Sequence, residues 1–136
     1  DNDQALQLAG TWEVLNGDKE LGIRLLELAV FKNPRNHGAV NNLAFSIKDK
    51  NLARALELAN LALANQPNNV NYIDTRVRIL MQMDNYADAI VDLDMAIKRN
   101  GDNADLYRLM AECYRQQGLP QRAQEYVRKA DEVDRD

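Results

Sequence analysis

Two alanine ladders that share one period constrain this chain more than anything else in its sequence. Ala55, Ala89 and Ala123 stand 34 residues apart, and Ala62, Ala96 and Ala130 repeat the same step. Further back, Ala29 precedes Ala62 by 33 residues, as Pro34 precedes Pro67, and Gly101 follows Pro67 by 34. One unit is therefore a residue short. One alanine pair at such a spacing means little, but several ladders in register with a proline ladder define a repeat, and a repeat restricts the fold to stacked copies of one small unit.

Within each unit, apolar residues recur at steps of three and four in two segments, which is the signature of two helices. Turns between the two segments fall near Gly17, Asp49 to Asn51, Asp84-Asn85 and Gly118. Between units lie Asn33-Pro34-Arg35-Asn36, Gln66-Pro67-Asn68-Asn69 and Asn100-Gly101-Asp102-Asn103. Proline lacks an amide donor and restrains its predecessor, while Asn and Asp cap a following helix, so these segments stop one helix and start the next. The spacing predicts helices over residues 3–16, 19–32, 37–49, 52–65, 70–83, 86–99, 104–117 and 120–133. With 46% apolar residues in 136, the chain has enough material for a core, and one all-α domain over 1–136 is expected. Its repeats fall at about 3–36, 37–69, 70–103 and 104–136.

These positions resemble the tetratricopeptide repeat, whose pattern runs from a bulky residue to Leu-Gly or Leu-Ala, an aromatic, Ala, a bulky residue, Ala and Pro. The opener is matched by Leu6, Val40, Ile73 and Tyr107. Ala9-Gly10, Leu43-Ala44 and Met110-Ala111 match the small pair, with Arg76-Val77 as a departure, and the later aromatic position holds Glu13, Ile47, Leu80 and Tyr114. In the second helices the small residue is Gly22, Ala55, Ala89 or Ala123, followed by Leu26, Ala59, Leu93 or Val127 and then Ala29, Ala62, Ala96 or Ala130. Small residues there let paired helices approach closely. Asn71 to Leu80 also resembles repeats common in bacterial proteins. The resemblance covers nearly the whole chain and implies a right-handed solenoid of antiparallel helix pairs that binds protein or peptide.

Residues at the seams indicate where such an array ends, because a repeat does not bury its apolar face alone. Ile23, Leu56 and Ile90 follow the first alanine position of the second helices, but Gln124 takes that place in the fourth unit; Val30, Leu63 and Ile97 likewise give way to Asp131. The last helix therefore reads as a solvated cap. At the other end, Trp12 occupies the place held later by Ser46, Ile79 and Cys113, which faces a preceding unit. Three accounts stay open: a further unit ahead of residue 1, local packing of the indole, or a contact with another copy. Local packing is the bland one, since scattered surface aromatics need no special cause.

No catalytic group is called for. His37 is the single histidine, read as a solvated residue at a hairpin junction, and it has no second His or Cys at ligand spacing, so neither a metal nor a cofactor is expected. Cys113, the single cysteine, reads as a small, inert core residue. The six glycines are dispersed and form no phosphate loop. Asp88, Asp92 and Asp94 read as a solvated acidic face. Arg76, where a leucine is usual, is expected either to snorkel outward or to pair with an acid of the second unit. A net charge of −4 offers no basic field, which argues against nucleic acid, including the RNA read by a related 35-residue hairpin family. No apolar run approaches the roughly 18 residues of a span and no charged-then-apolar leader opens the chain, so direct membrane insertion is not expected. A soluble protein, cytoplasmic or periplasmic, follows. Because the sequence opens at Asp1, a removed leader, an anchor or further repeats ahead of it stay open.

The resemblance places the ligand on an inner wall built by the first helix of each unit. Counting along those helices gives Gln4, Gln7, Leu8, Thr11 and Leu15, then Asn41, Asn42, Phe45 and Lys48. The third and fourth units add Asn71, Asp74, Thr75, Arg78 and Met81, then Asp105, Arg108, Glu112 and Arg115. The candidate peptide contacts are Asn41, Asn42, Phe45, Asp74, Arg78, Met81, Arg108, Glu112 and Arg115. Asn42 stands where related proteins pair an asparagine with the ligand backbone. The carboxylate clamp of the co-chaperone members is not carried over, because Gln7, Thr11, Asn71 and Thr75 stand where it wants basic or asparagine groups. The expected function is a non-catalytic scaffold for an extended peptide with an apolar and an acidic residue. The alternative is self-assembly through Trp12, as a module of a larger bacterial protein.

Overall fold

A computed structural model describes residues 2–136. Those residues form eight helices and no strand: α1 (Asp3–Asn16), α2 (Lys19–Lys32), α3 (His37–Ile47), α4 (Leu52–Asn65), α5 (Val70–Gln82), α6 (Tyr86–Asn100), α7 (Ala104–Gln116) and α8 (Pro120–Arg135). All eight begin where the spacing places them. The starts are sharp because the residue before a helix accepts from its first-turn amides. Asn2, Asp18, Asn36, Asn51, Asn69, Asn85 and Asn103 each do this through a side-chain oxygen. Each such cap is worth about 1 kcal/mol. The eighth helix opens instead on Pro120, whose fixed φ suits a first helical position. Ends differ more: α3 stops two residues early, at Ile47, and α8 runs on to Arg135.

Two compact units divide the chain, Asp1–Pro67 and Asn68–Asp136. In the first unit, α2 packs on α1 and α3, and α4 packs on α3. Leu26, Ala29, Ala39, Leu43, Ala44 and Ala55 are fully buried there. In the second unit, α6 packs on α5 and α7, and α8 packs on α7. Ile79, Ala89, Leu93, Leu106, Met110 and Cys113 are buried. The alanine ladders lie at helix contacts: Ala55, Ala62, Ala89, Ala96, Ala123 and Ala130 are all at most 2% exposed. Burial pushes the Cys113 thiol up to about 11, which leaves little thiolate at neutral pH.

The seam residues of α8 are exposed, as their polarity requires: Gln124 and Asp131 both face water. The helix buries Ala123 and Ala130 and covers the aromatic rings of α7. Tyr126 stacks on Tyr114 with ring centroids 5.4 Å apart and lies tilted against Tyr107 at 6.0 Å. Cations cover these rings, with Lys129 Nζ 4.7 Å from the Tyr126 centroid and the Arg122 guanidinium 5.0 Å from that of Tyr114. A charged helix thus covers apolar surface with its stems and rings while its heads stay wet.

Three sequence expectations are corrected. Arg76 is held by an acid of its own repeat rather than turned outward. Its Nε and Nη2 donate to Asp92 of α6, in its own hairpin, at 2.7 and 2.8 Å. Asp92 is accordingly not a solvated acid, since its side chain is only 15% exposed. His37 is half-buried rather than solvated, as the first residue of α3, where the spacing starts that helix.

Candidate functional site

In the first unit the candidate face is built by α1 and α3. Asn42 Nδ2 donates to Thr11 Oγ1 at 2.9 Å, which joins the two helices and fixes the amide. One turn further along α3, Phe45 stands 41% exposed, with Lys48 Nζ 4.9 Å from its ring centroid. The Lys48 side chain is itself only 17% exposed, lying along the ring. Asn41, expected on the inward wall, is buried instead. Its Nδ2 reaches Asn42 Oδ1 at 3.4 Å, and its own Oδ1 is buried without a hydrogen-bond partner. Such an orphan acceptor is costly. Asn42 and Phe45 are open to solvent in this arrangement and Asn41 is not. Gln7 and Thr11 are half-buried, and Gln4, Leu8 and Leu15 are exposed.

In the second unit the candidates lie on α5 and α7. Asp74 and Met81 are half-buried and Arg78 is exposed; on α7, Arg108 and Arg115 are exposed and Glu112 is half-buried. Thr75 is buried and turns its hydroxyl back to the Asn71 carbonyl at 3.2 Å. Each arginine is already matched to an acid. Arg78 Nε donates to Asp74 at 2.5 Å, Arg108 bonds Asp105 and Asp134, and Arg115 bonds Glu112. Sequence spacing contained most of these pairs, since Asp74-Arg78 is an i,i+4 step and Asp105-Arg108 and Glu112-Arg115 are i,i+3 steps. The contact from Asp134 of α8 was not legible, because it joins residues 26 apart. These surface pairs are weak individually, yet an incoming carboxylate has to displace an internal one.

Residues 80–136 match the tetratricopeptide repeat family. Over those residues the chain carries tetratricopeptide repeats. Solved structures of MamA share the fold of these repeats over nearly the whole chain. MamA MSR-1 is 21% identical, with a TM-score of 0.82 over 99% of this chain and 78% of that one. A crystal structure of MamA is 18% identical, with a TM-score of 0.85 over 98% and 79%. MamA RS-1, as the ArsTM double mutant, is 16% identical, with a TM-score of 0.81 over 98% and 76%. At such identities the likeness is one of fold. No curated protein matches the chain.

Among the described residues of these repeats, no three His, Cys, Asp or Glu side chains group closely enough to hold a metal ion. None of their described helices is long and apolar enough to cross a membrane. A surface hollow of about 680 Å³ lies at the α7–α8 turn, lined by Gly118, Leu119, Pro120, Gln121, Arg122 and Glu125. It contains none of the candidate contacts.

Proposed function

We propose that the chain is a non-catalytic scaffold that holds an extended protein segment on the first-helix face of each unit. Asn42, Phe45 and Lys48 make the contacts in the first unit; Asp74, Arg78, Met81, Arg108, Glu112 and Arg115 make them in the second. Phe45 carries this reading, as an aromatic ring kept 41% exposed beside an amide that Thr11 holds in place. A fixed ring and a fixed amide suit an apolar side chain and the peptide bond next to it, with little ordering cost on the protein side. The paired arginines refine the expected ligand. With each guanidinium already held by a carboxylate, the apolar residue contributes most of the affinity, and an acidic residue adds selectivity only where it outcompetes the internal acid. Selection from a displayed library of short random peptides tests this reading. Enriched sequences should share an apolar residue and lose binding on Phe45→Ala. Enrichment without an apolar residue, or indifference to Phe45→Ala, counts against it.

A second reading, self-assembly through α1, is favoured by one observation. Trp12 is 57% exposed, whereas Ser46 and Cys113, at the same place in later units, are 4% and 0% exposed. The two readings meet on α1: Thr11 belongs to the peptide face and Trp12 to the outer one, with Leu8 and Leu15 between them.

A further inference from the structure

From the edge of the candidate wall, where Leu8 and Leu15 stand, round to Trp12 and Ala5, α1 leaves all four side chains exposed; Leu8 is 75% exposed and Leu15 69%. At 3.6 residues per turn these four fall within roughly 80° of one another, which makes one apolar stripe about three turns long. The chain itself shows what such a face is made to meet. In the first unit α2 packs on α3, where Ser46 is buried, and in the second α6 packs on α7, where Cys113 is buried. Each time the covering element is a helix. Among the described residues, no helix lies over the matching place on α1, where Trp12 is 57% exposed.

We propose that the face is covered by the same face of a second copy, with the two α1 helices antiparallel about a two-fold axis. The inference rests on the self-assembly reading and adds its geometry. Three observations select this occupant. First, the stripe is uncharged: the charged residues of α1 are Asp3 and Glu13, and both are engaged within the unit. Asp3 Oδ2 accepts from Asn33 and Asn36, and Glu13 Oε2 accepts from the Asp18 amide. Two copies can therefore oppose this face without like-charge repulsion. Second, the steps 5, 8, 12 and 15 read the same in both directions. Reversal about the midpoint sets Leu8 opposite the second copy's Trp12 and Ala5 opposite its Leu15, so large meets large at the centre and small meets large at the ends. Third, the other exposed end helix is the wrong chemistry for head-to-tail stacking. α8 exposes Gln124, Glu125, Arg128, Asp131 and Glu132, which an apolar stripe would strip of water without pairing. A single helix face is smaller than the roughly 800 Å² per partner of a standard interface, so the dimer is concentration-dependent.

Sedimentation equilibrium of the whole chain between about 1 and 500 µM, followed by cysteine trapping, tests this arrangement. Reversible monomer–dimer behaviour is expected, and Trp12→Ala should raise the dissociation constant at least about tenfold without loss of helix signal. In a Cys113→Ala background, Ala5→Cys mixed with Leu15→Cys should give the mixed disulfide. Antiparallel packing holds the two residues at position 5 about 15 Å apart along the axis, beyond the roughly 7 Å limit for a disulfide. A chain that stays monomeric, with the face left for some other helix, overturns both the pairing and the self-assembly reading. So does a dimer indifferent to Trp12→Ala. A dimer that traps 5 with 5 and 15 with 15 leaves self-assembly standing and overturns the antiparallel arrangement.

Discussion

Gly10 and Gly22 bring α1 and α2 together so closely that a Cβ added at Gly22 would lie 2.6 Å from the Gly10 carbonyl oxygen. The same methyl would meet Val14 Cγ2 at 2.6 Å and the Val14 amide nitrogen at 2.7 Å. Two of these three atoms are backbone, so the helices would have to separate. Later hairpins tolerate alanine at the matching position, as Ala55 and Ala89 show. Gly22→Ala should therefore destabilise by about 1–3 kcal/mol in urea unfolding, even though alanine is the better helix former by roughly 1 kcal/mol. A gain in stability would mean that this helix contact is looser than described.

Arg76 and Asp92 form a bidentate pair whose side chains are 29% and 15% exposed. Asp92→Ala takes a bidentate carboxylate from a half-buried guanidinium and should cost about 1–3 kcal/mol. Arg76→Leu restores the residue usual at this seam. Combined with Asp92→Ala it should recover most of that loss, because the guanidinium that loses its carboxylate is removed with it. Equal losses in the single and double variants, measured by thermal unfolding, would refute the coupling.

Asp84 and Gly118 share one turn conformation 34 residues apart, with φ of 60° and 77°. In both hairpins the next amide reaches back to a carbonyl in the last helical turn, Asn85 to Leu80 at 2.8 Å and Leu119 to Tyr114 at 2.9 Å. Left-handed backbone is unfavourable for a residue with a Cβ. Gly118→Ala should therefore destabilise by about 1 kcal/mol in urea unfolding. Asp84→Gly should cost little or stabilise, even though it removes the Tyr86 hydroxyl bond to Asp84 Oδ1.

Much of the fold was legible because each signal was local. A proline or glycine between units, an Asn or Asp before each of the first seven helices and an alanine every 34 residues act within a few residues of where they stand. What stayed hidden depends on partners far along the chain. Spacing puts Asn41 and Asn42 side by side on one helix but does not say that Asn41 is buried while Asn42 reaches Thr11, 31 residues away. Likewise, the arginines of α5 and α7 read as ligand grips until their internal acids are seen, and Asp134 enters only when α8 is placed. Arg76 was recognised as a departure, but its mate lay 16 residues on, across a turn that pattern alone does not close.

Glu27 on α2 accepts two bonds from Arg54 on α4, at 2.5 and 2.7 Å, and the guanidinium holds its carboxyl below the ordinary value of 4.5. A carboxylate whose folded pKa is depressed contributes stability above its unfolded pKa and loses it as pH falls through the folded one. The stability gap between the native chain and Glu27→Gln should therefore be full near pH 7. It should begin to close below about pH 5 and vanish at lower pH, as chemical unfolding across pH can follow. A gap that stays constant would mean the pair is broken in solution.

The account centres on the first-helix faces, and titration calorimetry of one selected peptide against four proteins tests it most directly. Phe45→Ala should weaken binding by about 2 kcal/mol, close to thirtyfold, with the helical signal and melting temperature nearly intact. Arg78→Ala should weaken it less, because that guanidinium is shared with Asp74. Lys98→Ala with Arg99→Ala, in the last turn of α6, should leave affinity unchanged. If the α6 pair abolishes binding while Phe45→Ala and Arg78→Ala do not alter it, the ligand lies on the second helices and the central claim fails.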